Sequence, residues 1–219
     1  MEFPKPYRLA DRAILQLNRT TANGFERVRQ KLKKRSYSNG DVFSELNALF
    51  AELIRENLKK FRELYRARYF EILDYFGEKH PVGRDFDESI DEWLSMILSE
   101  PSDVTHYTYD AEVLRKRDRA IESINSMTAR SEKEYELDKA MRLWTQQTGF
   151  YIDIISDDAA LRAMKSVKGD KVDRVMWMTK HDPRVCKKCR ALDGHIFDIE
   201  NVPPKQHPRC RCWLKPVED

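Results

Sequence analysis

Four cysteines and one histidine near the C-terminal end have the spacing of metal ligands. Cys186 and Cys189 form a C-x-x-C pair, twenty residues separate that pair from Cys210 and Cys212, and His207 lies three positions before Cys210. Zn²⁺ takes four sulfur or nitrogen ligands at tetrahedral positions, and a C-x-x-C turn presents two sulfurs on one side of a metal. The segment therefore predicts a zinc site, and four protein ligands would make it structural rather than catalytic.

Five candidates compete for four ligand positions. In an extended segment Cys210 and Cys212 point to opposite faces, which favours Cys186, Cys189, His207 and Cys210 as ligands, with Cys212 in the core. A four-cysteine set, in which Cys212 replaces His207, stays open. Two disulfides or four buried thiols are further alternatives, although the spacing favours zinc. Because this segment has little core of its own, the metal would supply much of its folding energy.

The elements that must position these ligands are predicted from glycine, proline and apolar spacing. Apolar residues recur every three or four positions over most of the chain, which is the period of amphipathic helices. Helices are predicted over residues 7–20, 24–35, 41–76, from a cap at Asp85 or Asp87 to residue 98, from 110 onward, from 131 to 155 and over 159–167. Asp41 is predicted to cap the longest helix, and Ser131 and Glu134 have the spacing of a capping box. After Gly169 strand formers dominate, and they predict a strand over 172–179 and a hairpin over 192–197.

These elements predict a mainly α protein. A long helical N-terminal body over residues 1–130 would precede a small zinc-stabilised α/β domain over residues 131–219 that contains a β-hairpin. Seven glycines in 219 residues argue against a turn-rich all-β fold, and neither GxGxxG nor GxxxxGK occurs. No apolar run approaches a membrane span, and the first residues lack the apolar core of a secretory signal, so export is not expected.

Charge is distributed unevenly along the chain. The net charge of +3 divides into +7 for residues 1–40, −8 for 41–170 and +4 for 171–219. One basic stretch provides a candidate surface for nucleic acid or an acidic partner. Its six cations are Arg27, Arg29, Lys31, Lys33, Lys34 and Arg35. The alternative is an ordinary solvated helix face.

The C-terminal segment resembles a known family. Trp177 is followed by Asp-Pro-Arg-Val-Cys-Lys-Lys-Cys, by Leu192-Asp193-Gly194, by an aromatic residue, by Pro203-Pro204, and by His-Pro-Arg-Cys-Arg-Cys ending at Cys212. This order closely resembles that of MuF-type phage head-morphogenesis proteins, also called minor capsid or minor head proteins. The resemblance covers residues 130–216, whereas residues 1–130 show no signature.

The resemblance implies a structural, non-enzymatic role in a tailed phage. Family members are internal head proteins associated with the portal, and they act in head assembly or in DNA packaging and ejection. The expected partners are therefore the portal protein, packaged DNA and other head proteins, with no membrane and no small-molecule substrate. The expected location is the head interior at the portal vertex, after assembly in the host cytoplasm.

Two other functions compete with this one. A zinc-ribbon nucleic-acid-binding protein would use the basic stretch on phosphates. An HNH-like nuclease would need a catalytic histidine on a hairpin, for which Asp193-Gly194-His195 is the nearest candidate. No helix with a second histidine follows that hairpin, which disfavours the nuclease.

Overall fold

Helices make up most of the chain, and a small antiparallel sheet lies near its C-terminal end. The computed structural model describes residues 2–4, 7–33, 38–101, 106–169, 171–183, 185–204, 210 and 212–217. In these residues six helices and three strands occur. The helices are α1 Tyr7–Leu32, α2 Asn39–Phe76, α3 Arg84–Ser99, α4 Tyr109–Ser126, α5 Arg130–Ser166 and α6 Lys187–Leu192. The strands are β1 Arg174–Met178, β2 Ile196–Asp198 and β3 Trp213–Pro216. The predicted mainly α fold is thus confirmed in its coarse form.

Local signals explain several helix ends. Ser38 and Asp41 cap the start of α2 reciprocally, because the Asp41 carboxylate accepts from the Ser38 backbone N–H at 2.8 Å and Ser38 Oγ accepts from the Asp41 N–H at 3.2 Å. Thr108 caps α4 through a hydrogen bond from the Ala111 N–H. Gly77 follows the last residue of α2 with a φ of 72°, a left-handed conformation that glycine adopts without strain. Asp41 is therefore in the first turn of α2 rather than its N-cap.

Two predicted helix breaks are wrong. Residues 7–32 form one helix that continues through Gly24, and residues 130–166 form one helix that continues through Ser156. Ser156 is buried within α5 and caps nothing. The start of α5 also differs, because the Glu132 carboxylate accepts from the Ala129 N–H, in place of the predicted pair of Ser131 and Glu134.

The chain divides into two compact units, each built from separate segments. One unit comprises residues 12–61 and 95–149. Its core includes edge-to-face contacts of Phe50 with Phe25 and with Trp144, whose ring centroids lie 6.1 and 5.2 Å away. A buried amide adds polar contacts there, because Asn57 Nδ2 donates to Tyr109 Oη at 3.2 Å and to Thr148 Oγ1 at 3.0 Å.

The other unit comprises residues 1–11, 62–94 and 150–219. Its helical part packs Trp93 against Tyr65 and Tyr69, and Tyr65 Oη donates to Asp158 at 2.6 Å. Its sheet has the strand order β2-β1-β3, with β1 antiparallel to both neighbours. The predicted domain boundary at residue 130 is not tested by this division and stays a prediction.

Candidate metal centre

The first cysteine pair is positioned by the short helix α6. Cys186 is the N-cap of this helix, and its Sγ accepts a hydrogen bond from the Cys189 N–H at 3.3 Å. The Cys186 carbonyl accepts from the Arg190 N–H at 2.9 Å, which continues the first turn. Cys189 is fully buried, and Cys186 is half-buried beside it. The C-x-x-C segment therefore folds back so that its two side chains lie on the same side of the helix start.

The second cysteine pair precedes the edge strand β3. This strand pairs with the central strand β1, so that Trp177 lies opposite Leu214 and Met178 opposite Trp213. Cys210 and Cys212 lie just before the strand and are buried. The pairing of β3 with β1 thus brings Cys210 and Cys212 close to the start of α6.

Three cysteine sulfurs converge in this corner. The Sγ atoms of Cys189, Cys210 and Cys212 all lie within 4.8 Å of one another, and Cys189 Sγ is 3.4 Å from Cys210 Sγ. A tetrahedral ion with Zn–S bonds of about 2.3 Å holds its sulfurs about 3.8 Å apart. None of the four cysteines forms a disulfide. The spacing and the chemistry of these donors therefore fit a thiolate-bound metal ion, although they do not identify it as zinc.

The predicted placement of Cys212 away from the other sulfurs is wrong. That prediction assumed strand alternation over residues 210–212, whereas β3 begins only at Trp213. Cys212 therefore joins Cys189 and Cys210, which favours the four-cysteine set that the sequence left open. Cys186 packs against this cluster and is the remaining cysteine. His207 lies outside the described residues, so its assignment as a ligand stays a prediction.

Burial disfavours the thiolate forms of Cys189 and Cys212. Burial and the neighbouring thiols of Cys186 and Cys210 raise the pKa of Cys189 to about 12. The contact with Cys210, together with burial, raises the pKa of Cys212. At neutral pH these groups are therefore protonated unless a positive charge offsets the cost of ionisation. A divalent cation would supply that charge, because metal coordination deprotonates a thiol.

The loop between β1 and α6 is fixed by Asp193. Its Oδ1 accepts from the Thr179 N–H at 2.8 Å, and its Oδ2 lies 2.6 Å from His181 Nε2. Burial raises the pKa of Asp193, but the hydrogen bonds from Thr179 and His181 outweigh it and leave that pKa below its usual value. Gly194 then turns the chain with a φ of 78°, and its N–H donates to the Trp177 carbonyl at 2.8 Å. The Leu192-Asp193-Gly194 segment therefore has a structural role, which is to hold this loop through its hydrogen bonds.

The hairpin considered for a nuclease does not form a second metal-ligand group. Among the described residues, the cysteine cluster is the one group of at least three histidine, cysteine or acidic side chains close enough to share an ion. His195 is exposed, and its carbonyl accepts from the Trp177 N–H of β1. The predicted turn after Leu192 does lead into a short strand, but this strand, β2, pairs with β1 across the intervening α6 and does not close a tight hairpin. The segment therefore has a structural explanation in the pairing of β2 with β1.

Half of the predicted basic stretch is paired with carboxylates in the described part of the chain. Arg27 forms an ion pair with Glu52, Arg29 with Glu26 and Asp138, and Lys31 with Glu45. Lys33 is exposed at the end of α1, and Lys34 and Arg35 lie outside the described residues. The structure thus brings three of the six cations against carboxylates, and contact of this stretch with nucleic acid stays a prediction.

Sequence reasoning missed α6 and β3. A six-residue helix is too short to show a helical period, and its N-cap is a cysteine rather than one of the usual capping residues. The one available signal was the C-x-x-C spacing itself. Of the helices that the structure describes, none has the length and apolar character that a membrane span requires.

Comparison with known proteins gives one family. Residues 114–215 match the sequence model of the family described as phage Mu protein F like protein. The match begins within α4, at residue 114, whereas the resemblance noted from the sequence begins at residue 130. It includes all four cysteines. No curated protein and no solved structure matches the chain.

Proposed function

From the premise that residues 114–215 belong to the phage Mu protein F-like family, we propose that this chain is a structural minor capsid protein of a tailed phage. The family suggests a role in head morphogenesis and therefore a place in the virion. We further propose that the chain lies inside the head at the portal vertex, reaches it during assembly in the host cytoplasm, and acts in DNA packaging or ejection. The family match over the segment with the metal-ligand spacing is the observation that carries the proposal.

We propose that the cysteine cluster holds a closed zinc site, which would suit a structural rather than an enzymatic role. Four protein ligands leave no coordination position for water or substrate, so an ion held by the cysteine cluster would stabilise the fold without performing chemistry. Here the ligands would be Cys186, Cys189, Cys210 and Cys212, with His207 as the alternative to one cysteine. The ion would join α6 to the segment before β3, within the apolar cluster that already packs these two parts together. The chain is accordingly proposed to have no catalytic site.

Two experiments test the role and the location separately. Deletion of the gene from the phage that encodes this chain should reduce the yield of infectious particles, and complementation from a plasmid should restore it. Mass spectrometry of purified virions should detect the chain in wild-type particles. Normal yield together with absence from the virion would contradict the head-protein proposal.

Portal association has its own assay. Co-expression with the portal protein of the same genome should give co-sedimentation at both low and high salt. Co-sedimentation at low salt alone would indicate an electrostatic contact. If the two proteins never co-sediment and the chain still binds DNA, the zinc-ribbon nucleic-acid-binding alternative becomes the better proposal.

A further inference from the structure

We propose that α6 presents the surface through which this chain contacts the backbone phosphates of duplex DNA. The surface, here called the α6 basic arc, consists of Lys187, Lys188 and Arg190. It differs from the basic stretch of α1 that the sequence indicated. The inference rests on the proposed function only in taking DNA as the polyanion that this chain meets.

Helical geometry places the three cations on one side of α6. Successive residues of an α-helix are rotated by about 100°, so positions 187, 188 and 190 share the half of the helix opposite position 189. The structure agrees, because Cys189 is buried and the three cations are exposed. The same turn that directs a sulfur into the cysteine cluster therefore directs three positive charges into solvent.

These cations are not neutralised by the described part of the chain. Within it, Lys187 and Lys188 have no ion pair, and the Arg190 Nη2 donates to the Val185 carbonyl at 3.3 Å rather than to a carboxylate. In α1, by contrast, Arg27 and Lys31 are each paired with a glutamate of α2. Among the described residues, a phosphate at Lys187 and Lys188 would displace no carboxylate, whereas a phosphate at Arg27 or Lys31 would compete with Glu52 or Glu45.

The loop before α6 adds one exposed cation, Lys180, beside a cavity that two carboxylates also line. Arg190 and His181 line the same cavity of about 340 Å³, which places this loop beside the helix. Lys180 is exposed on the loop, with its Nζ 4.5 Å from the centre of the Tyr7 ring. The carboxylates that line the cavity are Asp182 and Asp193, and Asp193 already accepts from Thr179 and contacts His181.

The composition of this surface favours phosphates over an acidic protein. Protein interfaces are usually centred on buried apolar or aromatic side chains, with charges at the rim. Among the described residues from 171 onward, Ile196 is the one large apolar side chain that is markedly exposed. Long, unpaired cations without an apolar centre are instead the usual means of contacting a nucleic acid backbone.

The arc depends on the cysteine cluster for its position. An isolated helix of six residues does not form in water, since helices shorter than about 12 residues are marginal even in favourable sequences. The Cys186 cap and the buried Cys189 side chain hold α6 in place. Disruption of the cysteine cluster would therefore also loosen the phosphate-contacting surface.

The test measures binding of the full chain to a short duplex DNA by fluorescence anisotropy over a series of salt concentrations. Each lost phosphate contact lowers the slope of log K against log salt by about 0.9. The K187Q/K188Q variant should thus lose about 1.8 from this slope and bind roughly 60-fold more weakly at about 0.1 M salt. K187R/K188R, which keeps both charges, should bind like the wild type. K59Q/K79Q removes two exposed cations elsewhere and should leave the slope unchanged.

Three results would overturn the proposal. One is a lowered slope for R27Q/K31Q with an unchanged slope for K187Q/K188Q, which would return the contact to α1. Another is loss of portal co-sedimentation by K187Q/K188Q with DNA binding retained, which would identify an acidic protein as the partner. The third is the absence of any salt-dependent DNA binding by the wild type. Because portal association and virion content are measured separately, none of these results by itself contradicts the proposed head-protein function.

Discussion

Substitution of single candidate ligands should distinguish the two possible ligand sets of the metal centre. Cys212→Ser removes one of the three sulfurs that converge, and His207→Ala removes the histidine that the spacing indicated. The structure brings the Cys212 sulfur within 4.8 Å of those of Cys189 and Cys210. We therefore expect Cys212→Ser to weaken zinc binding strongly and His207→Ala to leave it within about threefold of the wild type, a difference under about 1 kcal/mol.

The size of the expected loss follows from the number of ligands. Zinc binds small four-ligand sites with about 10–16 kcal/mol, and each ligand therefore contributes about 2.5–4 kcal/mol if the energy is shared equally. At 1.4 kcal/mol for each factor of ten, loss of one ligand should raise the Kd for zinc by about 60- to 700-fold. Cys186→Ser should have a similar effect if Cys186 completes the set. Serine keeps the size of the side chain, so packing changes little.

Competition with a chromophoric chelator measures these affinities, and total zinc per chain measures stoichiometry. Circular dichroism of each variant separates loss of a ligand from loss of the helical fold. A large effect of His207→Ala combined with a small effect of Cys212→Ser would refute the four-cysteine set and restore the one with His207. A wild-type chain that contains no zinc and whose thiols react at once with a thiol reagent would refute the metal centre itself.

Three further predictions concern stability. Asn57→Ala removes two buried hydrogen bonds and should lower the free energy of unfolding by about 2–3 kcal/mol, which corresponds to a fall in Tm of about 4–12 °C. The control Asn47→Ala, on the same helix at a less buried position, should change Tm little. The pKa of Asp193 is lower in the folded chain than in the unfolded chain, so the ionised carboxylate stabilises the fold. This stabilisation is fully present above the pKa of an unfolded aspartate, and it is lost as the pH falls through the lower pKa of the folded chain. Urea unfolding from pH 7 to acid should therefore show the stability advantage of the wild type over Asp193→Asn shrinking with acidity, and a constant difference would contradict the assignment. Gly149→Ala should stabilise the fold by up to about 1 kcal/mol, because the added Cβ lies inside a helix and meets its nearest neighbour only at 4.0 Å. Gly194→Ala should destabilise the fold by about 1 kcal/mol in the same denaturation assay, because alanine is strained at a φ of 78°.

Helix type and approximate extent could be predicted because their signals are local. The apolar period of α2 and the glycine that follows Phe76 lie within the segment that they describe. The predicted break near Gly24 failed because this glycine serves packing. A Cβ at that position would lie 2.4 Å from Leu49 Cδ1, so the missing side chain allows α2 to approach α1 closely. No signal within α1 distinguishes such a glycine from one that ends a helix.

The ligand cluster was predictable in its members but not in its arrangement. Spacing identifies Cys186, Cys189, Cys210 and Cys212 as a group, since few structures other than a metal site or disulfides use this pattern. Whether Cys212 joins the other sulfurs depends on where β3 begins, and the pairing of that strand with β1 is a contact between distant parts of the chain. The alternation rule was applied to residues 210–212, which precede β3, so it did not anticipate that Cys212 lies beside Cys189 and Cys210.

The basic stretch shows most clearly that contacts between distant parts of the chain cannot be predicted from local sequence. By composition, the stretch from Arg27 to Arg35 is the densest positive segment and the natural choice for a polyanion. The carboxylates that pair with it come from positions up to 109 residues away, as for Arg29 and Asp138. Since an ion pair already made must be broken before a phosphate can bind, the number of unpaired cations matters more than the number of cations. Arg27, Arg29 and Lys31 are paired, whereas Lys187 and Lys188 of the α6 basic arc have no ion pair within the described residues, and this contrast is the reason to propose the arc as the anion-binding surface.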